Sequence, residues 1–139
     1  MATPLLAKAQ PEGDWRPPHP AIQVAFLCAA WCRLCGQYKA VVDRVAADFS
    51  AQGVTLHWQW IDIEEESDLV GELDVETFPT LVVVDPSAVR FAGAITPHAQ
   101  TLANLLRATV IAAEPGETWP SVGADVQTFA ARLRARAAR

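Results

Sequence analysis

An α/β domain, helices flanking a central sheet with one further helix appended at the C-terminus, is the architecture this sequence predicts. Three observations carry it. Ala21 to Cys28 (AIQVAFLC) is a near-continuous apolar run, the mark of a strand covered on both faces. Cys32 to Ser50 follows with Tyr38, Val41, Val42, Val45 and Phe49 at spacings of three and four, the single buried stripe of a helix. Val54 to Ile63 then alternates, with Val54, Leu56, Trp58 and Trp60 on one face, as a second strand does.

The elements read in order from there. Gly53 closes the first helix. The acidic stretch Glu64, Glu65, Glu66, Ser67, Asp68 enters a short helix with Leu69, Val70 and Leu73 inward, and acids there suit the helix macrodipole. Thr80 to Asp85 is a third strand, Asp85-Pro86-Ser87 a turn, and Ala88 to Ala92 the return of a hairpin with Gly93 at its end. Thr96-Pro97 opens another helix, with a hydroxyl cap and proline at the first position, and its stripe is Leu102, Leu105, Leu106 and Val110. Glu114 to Pro120 reads as a linker. Ser121 opens the last helix, amphipathic through Val122, Val126, Phe129 and Leu133. The organisation expected is an irregular lead-in over 1–20, holding five of the ten prolines, a domain over 21–113, a linker over 114–120 and a helix over 121–139.

Composition narrows the function classes. The 139 residues are 51% hydrophobic and 19% charged, enough apolar material for one core. A net charge of −5 gives no electrostatic case for nucleic acid or an anionic membrane surface. No apolar run approaches the ~20 residues that span a bilayer. The first residues lack a basic start followed by an apolar stretch, so a cytoplasmic protein is expected. Three cysteines in a chain this long are no disulfide scaffold.

The chemistry concentrates in Trp31-Cys32-Arg33-Leu34-Cys35, where the buried strand gives way to the helix. Residues three apart share a helix face, so the two sulfurs can meet. The first cysteine sits where unpaired backbone N–H groups point outward, and those dipoles stabilise a thiolate. Arg33 adds a positive charge. Cys32 is therefore the expected nucleophile and Cys35 the resolving thiol. The rival readings are half of a zinc site and a structural disulfide. Zinc needs four ligands, and Cys28, His19, His57 and His98 form no second close pair.

With those residues in hand the chain resembles the thioredoxin family over about Ala21 to Ala113. The apolar strand with WCRLC is similar to the family's strand and active-site helix. Trp60-Ile61-Asp62 resembles the acid-ended strand that follows, Val75 to Thr80 (VETFPT) the segment ending in cis-proline and threonine, and Phe91-Ala92-Gly93 the closing hairpin. The resemblance implies a thioredoxin-like fold with a mixed central sheet. It implies a cis Pro79 against the dithiol, and a substrate-docking rim of Trp31, Arg33, Phe78, Pro79 and Gly93. It further implies protein disulfides as substrates, a thiol or a thioredoxin-reductase-like protein as electron donor, and no bound cofactor or metal. A redox-active thiol–disulfide oxidoreductase serving cell redox homeostasis follows as the leading expectation. A thioredoxin-like interaction or redox-sensing module with slow turnover is the alternative.

The departures are specific. Arg33-Leu34 stands where reducing members of the family typically carry Gly-Pro, and Phe26 aligns with the family's buried acid beneath the second cysteine. The lead-in is short for the family's first strand and helix, and the helix after Pro120 lies outside the resemblance. Among the remaining residues, Cys28 is expected as a small packed hydrophobe, with a regulatory third thiol as the other reading. His57 and His98 are expected at the surface. Arg132, Arg134, Arg136 and Arg139 suit the C-terminal end of a helix dipole. Trp15 and Trp119 flank the domain in proline-rich segments.

Overall fold

Continuous apolarity from Val24 to Cys28 suits a strand covered on both faces, and every residue of this strand, β1 (Gln23–Cys28), is buried. The computed structural model describes residues 22–114 and 116–137. The expected lead-in with Trp15 and His19, like Arg139, lies outside them.

After β1 come α1 (Arg33–Ala51), β2 (His57–Asp62), α2 (Ser67–Val70), β3 (Thr80–Val84), β4 (Val89–Ala94), α3 (Ala99–Leu106) and α4 (Ala124–Ala137). The sheet order is β2-β1-β3-β4, with β1 parallel to β2 and antiparallel to β3, and β3 antiparallel to β4. The mixed sheet and its flanking helices are those of the expected thioredoxin-like fold.

Period-two alternation sorts the sheet's side chains into two cores. Val24, Phe26, Leu81 and Val83 face α1 and α3, meeting Tyr38, Val42, Val45, Phe49, Leu102 and Leu106. Ala25, Leu27, Val82 and Val84 face the other way, where Val70 of α2 and Phe129, Ala130 and Leu133 of α4 cover them. Each fully buried Phe or Leu contributes about 1.5–3 kcal/mol. The C-terminal helix thus supplies part of one layer on the sheet through Val126, Phe129 and Leu133; it starts at Ala124 rather than Ser121, so Val122 packs from the segment before it.

Two helix ends need glycine. α1 stops in a Schellman arrangement: Val54 N–H donates to Phe49 C=O at 2.9 Å and Gly53 N–H to Ser50 C=O at 3.0 Å. Gly53 has φ +83°, and Val54 packs on the same core as Phe49. α2 ends at Gly71 with φ +61°, where an added Cβ would stand 1.9 Å from the Arg132 guanidinium.

Several boundaries differ from the sequence reading. β2 starts at His57, because Val54 is spent on capping α1. α3 starts at Ala99, two residues beyond Pro97, with His98 as its N-cap; the Thr96 carbonyl instead accepts the His98 N–H, and the Thr96 hydroxyl donates to that of Thr101. A π turn over Arg107–Ile111 continues α3 and was not legible. Gly93 lies inside β4, which runs one residue further.

Arg134 and Arg136 lie in the last turn of α4, as expected, and they also make docking contacts. Arg134 Nε donates to the Asp85 carbonyl at 2.9 Å, and Arg136 reaches Gln59 at 2.7 Å and pairs with Glu66. Arg90 fastens the opposite side: its Nε donates to Asp85 at 2.7 Å, its Nη1 to the Thr109 carbonyl at 2.7 Å, and Trp119 stacks on it. Among the described residues no helix is long and apolar enough to cross a membrane.

Candidate functional site

β1 ends at Cys28, and three residues of turn deliver the chain to α1. The turn is closed by the Cys32 N–H on the Ala29 carbonyl at 3.0 Å. Cys32 is the N-cap of α1, with extended φ −85° and ψ 112°, and its side chain makes no capping hydrogen bond. It is a free thiol, partly exposed. Arg33 and Leu34 are exposed beside it, and Cys35 is buried at 2%.

Cys35 is bonded to Cys28, with Cα atoms 6.0 Å apart. This corrects the sequence reading of Cys28 as an unbonded packed hydrophobe. Cys28 is indeed buried, but as half of a disulfide, and Cys35 has its sulfur on Cys28 rather than on Cys32. The physical reason is tertiary: a short turn folds the first turn of α1 back over the end of β1. The readable signal was a third cysteine at the strand end, four residues before the motif.

Asp62 stands opposite Cys28 in the β1–β2 register. Its carboxylate accepts backbone N–H groups from Glu64 at 2.8 Å, Glu65 at 3.2 Å and Ala30 at 3.1 Å. The Glu64 N–H first, then that of Glu65, holds the carboxyl below the usual carboxylate range. So engaged, Asp62 fixes the turn before Cys32 and is a poor proton acceptor near neutral pH.

Beneath the cysteines the site is apolar. Phe26, 1% exposed, stacks on Trp58 and Trp60 with centroids at 6.2 and 5.8 Å and meets Tyr38 edge-on at 5.9 Å. The Tyr38 hydroxyl is buried without a hydrogen-bond partner among the described residues, and burial pushes its pKa to about 12.

The rim residues gather in part. Trp31, 67% exposed, lies edge-to-face on Phe78 at 5.6 Å, and its Nε1 donates to Glu64 at 3.3 Å. The Phe78–Pro79 bond is cis, as the resemblance implies, and Pro79 is buried. Its carbonyl accepts the Ile95 N–H at 3.2 Å, and Gly93 pairs with Leu81 two residues along. His57 and His98 are exposed. Among the described residues no group of three or more His, Cys, Asp or Glu is placed to hold a metal.

Comparison with known proteins agrees with this geometry. The family model described as Thioredoxin matches residues 18–108. No curated protein matches the chain in sequence. Among solved structures, Fasciola hepatica thioredoxin superposes with TM-score 0.55 at 14% identity, covering 66% of this chain and 84% of its own. The germline-specific thioredoxin Deadhead of Drosophila melanogaster gives 0.53 at 20%, covering 64% and 81%. The first two thioredoxin domains of Saccharomyces cerevisiae Eps1p give 0.53 at 21%, covering 72% and 43%. At these identities the likeness speaks for the fold.

Proposed function

Since the chain belongs to the thioredoxin family of thiol–disulfide oxidoreductases, we propose that it exchanges disulfides with protein substrates through Cys32, with Cys35 as the resolving thiol. The observation that carries this reading is the placement of Cys32. The free, partly exposed sulfur sits at the N-cap of α1, one helical turn from buried Cys35 and next to exposed Trp31.

In this reading the Cys32 thiolate attacks a substrate disulfide, forming a mixed disulfide and releasing one substrate thiolate. The Cys35 thiolate then attacks Cys32, closing Cys32–Cys35 and releasing the second. Two electrons pass to the substrate, and an external thiol or a reductase restores the pair. The unpaired N–H groups of the α1 N-terminus favour Cys32 both as attacking and as leaving thiolate. Trp31 and Phe78 offer an apolar seat for the partner, and Arg33 an exposed cation beside it.

An insulin-reduction assay with a dithiol donor tests the proposal. Turnover that disappears in Cys32→Ser is the expected result, and a native chain no faster than the donor alone would refute it. A second reading, a binding module that holds partners without turnover, is favoured by one observation: Cys35 is engaged with Cys28. The same assay, run on fully reduced chain, separates the two.

A further inference from the structure

The three cysteines form a graded set. Cys32 is partly exposed, Cys35 is 2% exposed and Cys28 is 1% exposed. Cys35 lies between the others in reach. It is bonded to Cys28 across the turn that joins β1 to α1. It also stands three residues from Cys32, a spacing that brings Cβ atoms to about 5–6 Å on one helix face. One disulfide can therefore occupy either of two positions, and Cys35 belongs to both.

We propose that Cys28 is a third working thiol, which takes Cys35 from Cys32 and so converts a two-thiol exchanger into a one-thiol capture device. This rests on the reading of Cys32 and Cys35 as the exchanging pair. After one round of exchange the chain holds Cys32–Cys35. The Cys28 thiolate attacks Cys35 Sγ; the Cys28–Cys35 bond forms, the Cys32–Cys35 bond breaks, and the electron pair leaves on Cys32 Sγ. The proton lost by Cys28 is balanced by the one the departing Cys32 thiolate takes from water. Nothing is oxidised or reduced overall. The backbone N–H groups at the N-terminus of α1 favour departure of Cys32 as thiolate.

The product differs from the starting disulfide in what it leaves exposed. Its oxidised sulfurs are both buried, away from an external reductant, while Cys32 is again free at the surface. Such a chain still attacks a disulfide partner. Cys35, however, is occupied and cannot resolve the adduct, so the partner stays covalently attached until an external dithiol opens Cys28–Cys35.

Full-length reduced chain is oxidised with a small disulfide, quenched in acid at intervals, and its disulfides are mapped by alkylation and peptide mass. Cys32–Cys35 should appear first and convert to Cys28–Cys35. In Cys32→Ser the Cys28–Cys35 bond should form at least about tenfold more slowly, since its precursor is missing. The end product is then treated with dithiobis-nitrobenzoate. It should release one equivalent of thionitrobenzoate and keep the other on Cys32, whereas the reduced chain should release two as Cys35 resolves the first adduct and a third when transfer to Cys28 frees Cys32 again.

An oxidised native chain that rests as Cys32–Cys35 with Cys28 reduced would overturn the proposal, as would equal rates in Cys32→Ser. All of this is read on the native fold, so a Cys28→Ala variant that misfolds does not disturb it; a folded one should stop at Cys32–Cys35. Insulin reduction is the separate measure of the exchanger reading. If it is absent while both disulfides map in sequence, that reading falls and the transfer between Cys32 and Cys28 stands.

Discussion

The carboxylate of Asp62 accepts the backbone N–H of Ala30 at 3.1 Å, so the acid that ends β2 also holds the turn from which Cys32 emerges. Its other oxygen takes the N–H groups of Glu64 and Glu65. The anion is what accepts these bonds, and they depress its folded pKa, the Glu64 N–H most. A depressed carboxyl stabilises the fold above its unfolded value of about 3.9 and loses that contribution as pH falls through the folded value. Urea midpoints of the native chain and Asp62→Ala should therefore differ at neutral pH and converge below about pH 4.

Asp85 should matter more, because it is 8% exposed and organises a tertiary junction. Burial alone would raise its carboxyl. The Arg90 hydrogen bond and the Ser87 and Ala88 N–H groups outweigh that and leave it lowered. Asp85→Ala strands the Arg90 guanidinium and frees the turn, and the expected loss is about 3 kcal/mol at neutral pH. Equilibrium denaturation checks this, and the loss should shrink as pH falls below the ordinary aspartate value, by the same sign as for Asp62.

Phe26→Asp probes how Cys35 gives up its proton. Phe26 is packed among Tyr38, Trp58 and Trp60, and Asp62 is committed to backbone groups, so neither of these positions offers Cys35 a free base. Resolution of a Cys32 mixed disulfide should be slow near neutral pH and accelerate as pH rises. General-base assistance is typically worth roughly 10²–10⁴-fold, the range a placed carboxylate could restore. Stopped-flow resolution against pH in the native chain decides; fast, pH-independent resolution would refute the idea. The variant's circular dichroism must be followed as well, since the acid enters a buried position.

Removing the chain after Glu114 should unfold the domain at low concentration, without dissociating any oligomer first. α4 buries Phe129, Ala130 and Leu133 against the sheet, and its arginines pair with Asp85, Gln59 and Glu66. Phe129→Ala alone should cost about 3–5 kcal/mol. Thermal melts at several protein concentrations provide the measurement, and an unchanged melting temperature would contradict the docking.

Tyr38→Phe should leave stability unchanged or raise it by about 1 kcal/mol, because it deletes a buried hydroxyl that has no partner among the described residues. Denaturant midpoints suffice. A loss above about 1 kcal/mol would mean that the hydroxyl is satisfied in solution.

How much of this was legible depended on whether the cause was local. β1 and α1 announce themselves through apolar continuity and a three-four stripe, and α4 through Val126, Phe129 and Leu133. The start of α3 was misplaced because Thr96-Pro97 is a good local cap, yet the chain takes His98 instead. The roles of Arg134 and Arg136 depend on residues 49 and up to 77 positions away, which no helical periodicity encodes. The Cys28–Cys35 bond is similar. Spacing places Cys32 and Cys35 on one face, but the approach of Cys28 follows from how the turn folds over the strand.

The exposure of Trp31 gives the molecule an optical handle on its own working edge. Trp58, Trp60 and Trp119 are partly buried, whereas Trp31 is 67% exposed and adjoins Cys32. Its indole is held by Phe78 on one side and Glu64 on another, so its emission belongs to a defined pose. A soluble quencher such as iodide reaches this ring in preference to the other described indoles. A partner seated over Cys32 would shield it and shift its emission to the blue, so occupancy of the rim can be followed by light without labelling a sulfur.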